Sequence, residues 1–236
     1  MARLCTSTED PRWRTATGSF CPRDTAPGHV CDARSQGILP DGERVHAQPA
    51  EHEFPAHTDR SKTIGVDLTT GSLGQGMSEA IGAALGNRAQ NRPSRVYVAV
   101  GDGECDEGQI WEGAQFAAHY KLDNLVCLVD NNGRQLDGAV ADVMSHGKGI
   151  GAKFDAFGWN VIDVADGNDV EQIYNALEQA KACKGKPTCL ILNTVKGKGA
   201  TFAEPSGAHS SQPTKEQWDE AIAASEAALT AVKNEK

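Results

Sequence analysis

The chain lacks any apolar run approaching the roughly 18 residues of a membrane-spanning helix. Its N-terminus lacks the apolar core of a signal peptide. It also lacks a surplus of positive charge: 23 Lys and Arg stand against 32 Asp and Glu, a formal charge of −9. That balance argues against nucleic-acid and anionic-membrane partners, and a cytoplasmic protein is expected, whose phosphorylated ligands meet local positive sites. The seven cysteines are odd in number and form no Cys-x-x-Cys pair, so reduced thiols are expected. No Gly-x-x-x-x-Gly-Lys-Ser/Thr occurs, which leaves a P-loop unsupported. The glycine run Gly71-Ser72-Leu73-Gly74-Gln75-Gly76 has the wrong order for a dinucleotide-binding loop, and no strand with a ribose-binding acid follows it.

What the chain does have is concentrated between Arg95 and Gly138. An apolar β-branched run, Val96 to Val100, ends on Gly101-Asp102-Gly103, which predicts a buried strand delivering one carboxylate into a tight turn. From about Glu107 to Tyr120 the apolar residues fall at helical spacing, at Ile110, Trp111, Ala114, Ala117 and Ala118. A second apolar run, Leu125 to Val129, stops on Asp130-Asn131-Asn132-Gly133. Strand, turn, helix, strand and turn in this order predict two parallel neighbours that bring Asp102 and Asn132 to one sheet edge. Asp102 supplies an anionic oxygen there, Asn132 a neutral one, and the backbone after Gly133 can turn in a third. Such a set suits Mg²⁺ or Ca²⁺ and leaves sites for phosphate oxygens. A single carboxylate keeps the pocket net positive, as a diphosphate requires.

A Gly-Asp-Gly turn, 27 intervening residues (104–130) and then Asn131-Asn132 resemble the thiamine-diphosphate signature. With GVDLTTGSLGQG before it and TVKGKG after it, the chain is similar to the N-terminal, pyrophosphate-binding half of transketolase. The resemblance implies an α/β fold with a doubly wound, mostly parallel sheet and helices on both faces. It implies thiamine diphosphate and Mg²⁺ (or Ca²⁺) as cofactors, with cofactor contacts from Gly71, Ser72, Leu73, Gly101, Asp102, Gly103, Glu104, Asn132 and Leu136. The metal oxygens would come from Asp102, Asn132 and the Arg134 carbonyl. His57 and His209 would stand beside the reacting sugar, where a histidine suits proton movement near neutral pH. Glu107 would touch the activating glutamate of a partner chain, although a carboxylate at a helix start is favoured by the helix dipole anyway. Leu136 would pack beside the aminopyrimidine, with a plain core leucine as the alternative.

The rest of the chain frames this unit. Residues 1–50 show no periodicity and are expected to be poorly ordered, as a divergent arm or an aberrant start. The family's N-terminal Gly-His-Pro-type motif is absent from them, and the domain is expected over residues 51–236. A small-residue helix is predicted from Met77 to about Leu85, a short strand over Asn160 to Val164, and a helix capped by Asn168 with Glu171. A buried strand from Thr188 to Val195 follows, then Lys196-Gly197-Lys198-Gly199, which reads equally as a phosphate-facing loop or a solvated turn. Thr214 and Gln217 should cap a last amphipathic helix. By resemblance the activating glutamate lies in a separate pyrimidine-binding domain, so the expected partner is a C-terminal transketolase subunit, in a heterotetramer acting on sugar phosphates. The implied activity is transfer of a two-carbon ketol unit. Another thiamine-diphosphate enzyme subunit, deoxyxylulose-phosphate synthase-like or for an unusual sugar, and an inactive cofactor-binding fragment are the alternatives.

Overall fold

The computed structural model describes residues 59–62, 68–204 and 213–234. The segment 1–50, His57 and His209 lie outside the described residues. In chain order the elements are α1 (Gln75–Ala89), β1 (Val96–Gly101), a 3-10 turn (Glu104–Asp106), α2 (Gly108–His119), β2 (Leu125–Asn131), β3 (Arg134–Gln135), β4 (Gly138–Ala139), α3 (Val140–Val143), α4 (Ile150–Ala156), β5 (Asn160–Val164), α5 (Val170–Ala182), β6 (Thr188–Asn193) and α6 (Lys215–Asn234). Strands β1, β2, β6 and β5 lie side by side in that order, all parallel, and β3 with β4 makes a separate antiparallel hairpin. None of the described helices is long and apolar enough to cross a membrane.

The two central strands read as unbroken apolar runs because both of their faces are covered. Side chains of β2 alternate between the two covers. Leu125, Cys127 and Val129 join Met77 and Ile81 of α1, Ile110 and Ala114 of α2, and Phe154 of α4 in one core. Val126 and Leu128 join Ile173, Leu177 and Ala180 of α5 in the other. Helices therefore cover both faces of a parallel sheet, as the resemblance implied. At the flank, β1 buries only alternate residues, and Tyr97 and Ala99 are only partly covered. Four of the cysteines, Cys105, Cys127, Cys183 and Cys189, are free thiols.

Several element ends differ from those the sequence predicts. Strands β1 and β2 run past the apolar residues into Gly101 and Asn131, because the ladder pairs Gly101 with Asp130 and continues. Strand β6 stops at Asn193, where the Asn193 carbonyl turns aside to accept the Gly167 N–H at 2.8 Å. Helix α1 is longer than the small-residue stretch and begins at Gln75. The cap of α5 is Asp169, whose Oδ1 accepts the N–H groups of Glu171 at 2.8 Å and Gln172 at 3.2 Å. Asn168 instead accepts the Val195 N–H at 2.9 Å. Adjacent residues competed for one cap, and the amide was drawn off by a tertiary partner. At the last helix, Thr214 and Gln217 do form the reciprocal cap.

Gly167 sits where β5 hands over to α5, hard against the end of β6. A Cβ there would lie 2.7 Å from Thr194 Cγ2 and 2.8 Å from the Leu192 carbonyl carbon. Backbone cannot step aside as a flexible side chain does. Gly167→Ala should therefore destabilise the domain by about 1–3 kcal/mol, the usual cost of overpacking, read as a lower urea midpoint with an unchanged slope.

Candidate functional site

Parallel register decides which loops meet. Gly101 pairs with Asp130 and Asn131 with Asn193, so β1, β2 and β6 end level and their exits share one edge of the sheet. Asp102 stands at that edge, 1% exposed. Its N–H extends the ladder to the Asp130 carbonyl at 3.1 Å. Its carboxylate accepts the Gly103 N–H through Oδ1 at 2.8 Å and the Gly133 N–H through Oδ2 at 2.6 Å. Burial pushes the Asp102 carboxyl up from its ordinary range, the Gly133 and Gly103 N–H bonds oppose that, and the nearby Asp130 adds to it. A buried carboxylate met only by backbone N–H groups is a place where a cation would favour the charged form.

Gly133 reaches Asp102 because it takes the left-handed conformation, φ 73°, which glycine adopts without strain. Its neighbour Asn132 accepts the Arg134 N–H at 2.9 Å through Oδ1. Arg134 opens the β3–β4 hairpin, whose turn carries Leu136, 57% exposed. A leucine that exposed is not a core residue.

The glycine loop before α1 is tied to the same edge by Glu104. Its Oε1 accepts the Gly74 N–H at 2.9 Å and its Oε2 the Gly101 N–H at 3.3 Å. Burial raises the Glu104 carboxyl, with the Gly74 and Gly101 N–H bonds pulling it back. Gly74 is left-handed, and a Cβ on it would meet Glu107 Cβ at 3.2 Å. So the loop Gly71 to Gly74 rests on the segment that starts α2. Within it the Ser72 hydroxyl accepts from Gln75 Nε2 at 3.2 Å, and Leu73 is exposed. Glu107 is exposed at the start of α2, and its carboxylate caps no N–H of that helix.

Behind the Asp102 turn lies a cluster that no sequence pattern indicated. His146, buried, places Nε2 3.0 Å from the Asp102 carbonyl and Nδ1 3.2 Å from Lys153 Nζ. Asp106 stands 3.8 Å from the same ring and accepts from Gln135 Nε2 at 2.7 Å. The one signal was a histidine beside a glycine in Ser145-His146-Gly147, too common to single out.

Residues 46–228 match the family described as transketolase, thiamine diphosphate binding domain. The chain belongs to this family. It is 44% identical over 171 residues to the 6-deoxy-6-sulfo-D-fructose transketolase subunit of Clostridium sp. (strain MSTE9), covering 72% of this chain and 62% of that relative. It is 37% identical over 179 residues to an apulose-4-phosphate transketolase subunit of Actinobacillus succinogenes, covering 76% and 64%. The chain thus spans less than two thirds of the length of these relatives. The crystal structure of transketolase from Campylobacter jejuni matches with a TM-score of 0.60 at 34% identity, covering 66% of this chain and 25% of that one.

In this transketolase-family domain Glu104 is the one side chain, among the described residues, bonded to both the α1 loop and the end of β1. A glutamine there keeps one acceptor and turns an NH₂ toward the second N–H. Glu104→Gln should lower stability by about 1–3 kcal/mol, the cost of leaving a buried donor unmatched. Urea denaturation at neutral pH measures it.

Proposed function

We propose that this chain is the thiamine-diphosphate-binding subunit of a split transketolase. It would transfer a two-carbon ketol unit between ketose and aldose phosphates together with a partner subunit that carries the pyrimidine-binding domain. The observation that carries the reading is the buried Asp102 carboxylate bonded to Gly133, beside Asn132, in a chain of this family. The division of the enzyme into two chains draws on the two relatives named as transketolase subunits.

The residues fit a hard divalent cation and a diphosphate. The Asp102 carboxylate accepts the Gly103 and Gly133 N–H groups and is also approached by the Arg134 N–H, which leaves part of its four-site acceptor capacity for a cation. Asn132 adds a neutral oxygen, and the Arg134 carbonyl is the proposed third. Among the described residues no three His, Cys, Asp or Glu side chains come together as a metal-ligand group. Mg²⁺ would therefore rely on Asp102, neutral protein oxygens and the oxygens of the ligand. Thiamine diphosphate, when bound, supplies a carbon nucleophile and an electron sink for ketol transfer. Glu104 holds the Gly71 to Gly74 loop against the strand end. Leu73 and Leu136 offer apolar surface to the cofactor's rings, and Glu107 faces the partner. His57 and His209 are the proposed proton carriers at the sugar hydroxyls.

A second reading concerns the sugar. Relatives named for 6-deoxy-6-sulfo-D-fructose and for apulose-4-phosphate favour a ketose donor outside the ordinary sugar phosphates. A donor panel containing both kinds, tested with the partner present, separates the two.

Asp102→Asn keeps the shape of the turn and removes the anionic ligand. Calorimetric titration with Mg²⁺ and thiamine diphosphate should show a loss exceeding the roughly 10- to 100-fold typical of an outer-shell change. Undiminished affinity would remove the metal assignment. Replacement of His57 or His209 by Ala should leave that affinity intact and lower kcat by about 10²- to 10⁴-fold with the partner present. The chain without a partner should show no transfer at all.

A further inference from the structure

We infer that His146 is a positioning residue for the cation-binding turn, holding the Asp102 backbone so that the Asp102 carboxylate is aimed for Mg²⁺ and the diphosphate. The inference rests on the reading of Asp102 as a cation ligand and adds a residue that the sequence did not point to. Asp102 is restrained from two sides. Its carboxylate is held by the Gly103 and Gly133 N–H groups. Its carbonyl accepts the Cys105 N–H at 3.1 Å and faces His146 Nε2 at 3.0 Å. A carbonyl only accepts, so Nε2 carries the hydrogen. The Lys153 ammonium only donates, so Nδ1, 3.2 Å away, presents its lone pair. Lys153 thereby selects the tautomer that can hold Asp102.

The supports of His146 lead back to the same turn. Lys153 Nζ lies 4.9 Å over the Trp111 ring, and Trp111 Nε1 donates to the Cys105 carbonyl at 2.9 Å. Asp106, at the end of the turn, stands 3.8 Å from Nδ1 and accepts from Gln135 of β3. Gln135 also packs on Gly103, where a Cβ would be 3.1 Å from its Cγ. The cluster therefore clamps the Asp102 to Asp106 turn against the hairpin that carries Arg134. Both ring nitrogens are engaged, as a buried imidazole requires, and one of the two contacts is to Asp102 itself.

Three variants of the full chain test this. His146→Phe keeps a ring and loses both bonds, His146→Gln keeps a donor and an acceptor, and Lys153→Met removes the partner of Nδ1. Each is titrated calorimetrically with Mg²⁺ and thiamine diphosphate in the presence of the partner subunit, and the urea midpoint of the chain is measured without ligand. His146→Phe should bind about 10- to 100-fold more weakly, Lys153→Met should lose part of that factor, and His146→Gln should recover most of it. Wild-type affinity in His146→Phe overturns the inference. So does an equal loss in the Phe and Gln variants, which marks simple packing. If His146→Phe shows no cooperative unfolding, Lys153→Met decides, and wild-type affinity there overturns the inference. Failure of the unaltered chain to bind with the partner subunit present overturns the cation-site reading itself, together with this one.

Discussion

Asp102 places a carboxylate where solvent reaches only 1% of the residue, so its charge must be met by the protein or by something the protein binds. The protein meets part of it with two glycine N–H groups, one from its own turn and one from the turn after β2. Those two contacts join the exits of β1 and β2, and the Asp102 carbonyl joins the turn to His146 behind it. Glu104 repeats the device a few residues on, coupling the α1 loop to the same strand end. The edge is thus assembled from backbone N–H groups gathered around two buried acids. A site of this kind tolerates little sideways movement, because each acid touches a different loop.

The level edge has its own cause in the two cores. Because β2 and β6 are apolar on both faces, a slip by one residue would exchange the residues facing α1 and α2 with those facing α5. Each set packs into its own cover, with Trp159 Nε1 also fixed to the Ala114 carbonyl at 2.8 Å. Register is therefore held by packing on both sides. The positions of Asp102, Gly133 and Asn193 follow from it.

Much of this was legible in the chain because the signals were local. The apolar runs located β1, β2, β5 and β6. The Gly-Asp-Gly turn and the Asp-Asn-Asn-Gly turn located the two loops that meet, and Thr214 with Gln217 located the start of α6. Legibility failed where two neighbours carried the same local signal. Asn168 and Asp169 are both good caps, and only the reach of Asn168 to Val195 decides between them. It failed again at His146, whose partners Asp102, Asp106 and Lys153 come from other elements.

The sequence by itself determined the strands β1, β2, β5 and β6, the helix between β1 and β2 and the acid at the strand end, since each depends on periodicity or turn chemistry. The family and its fold were read from a resemblance of motifs, and the β3–β4 hairpin and helices α3 and α4 carried no such signal. Tertiary structure alone decided that Asp102 is bonded to Gly133, that Glu104 binds the α1 loop, that Leu136 is exposed, and that a histidine stands behind the turn. Those are relations between residues distant in the chain. They arise from the exact register of the parallel strands and from how side chains pack in the two cores, which no local pattern encodes.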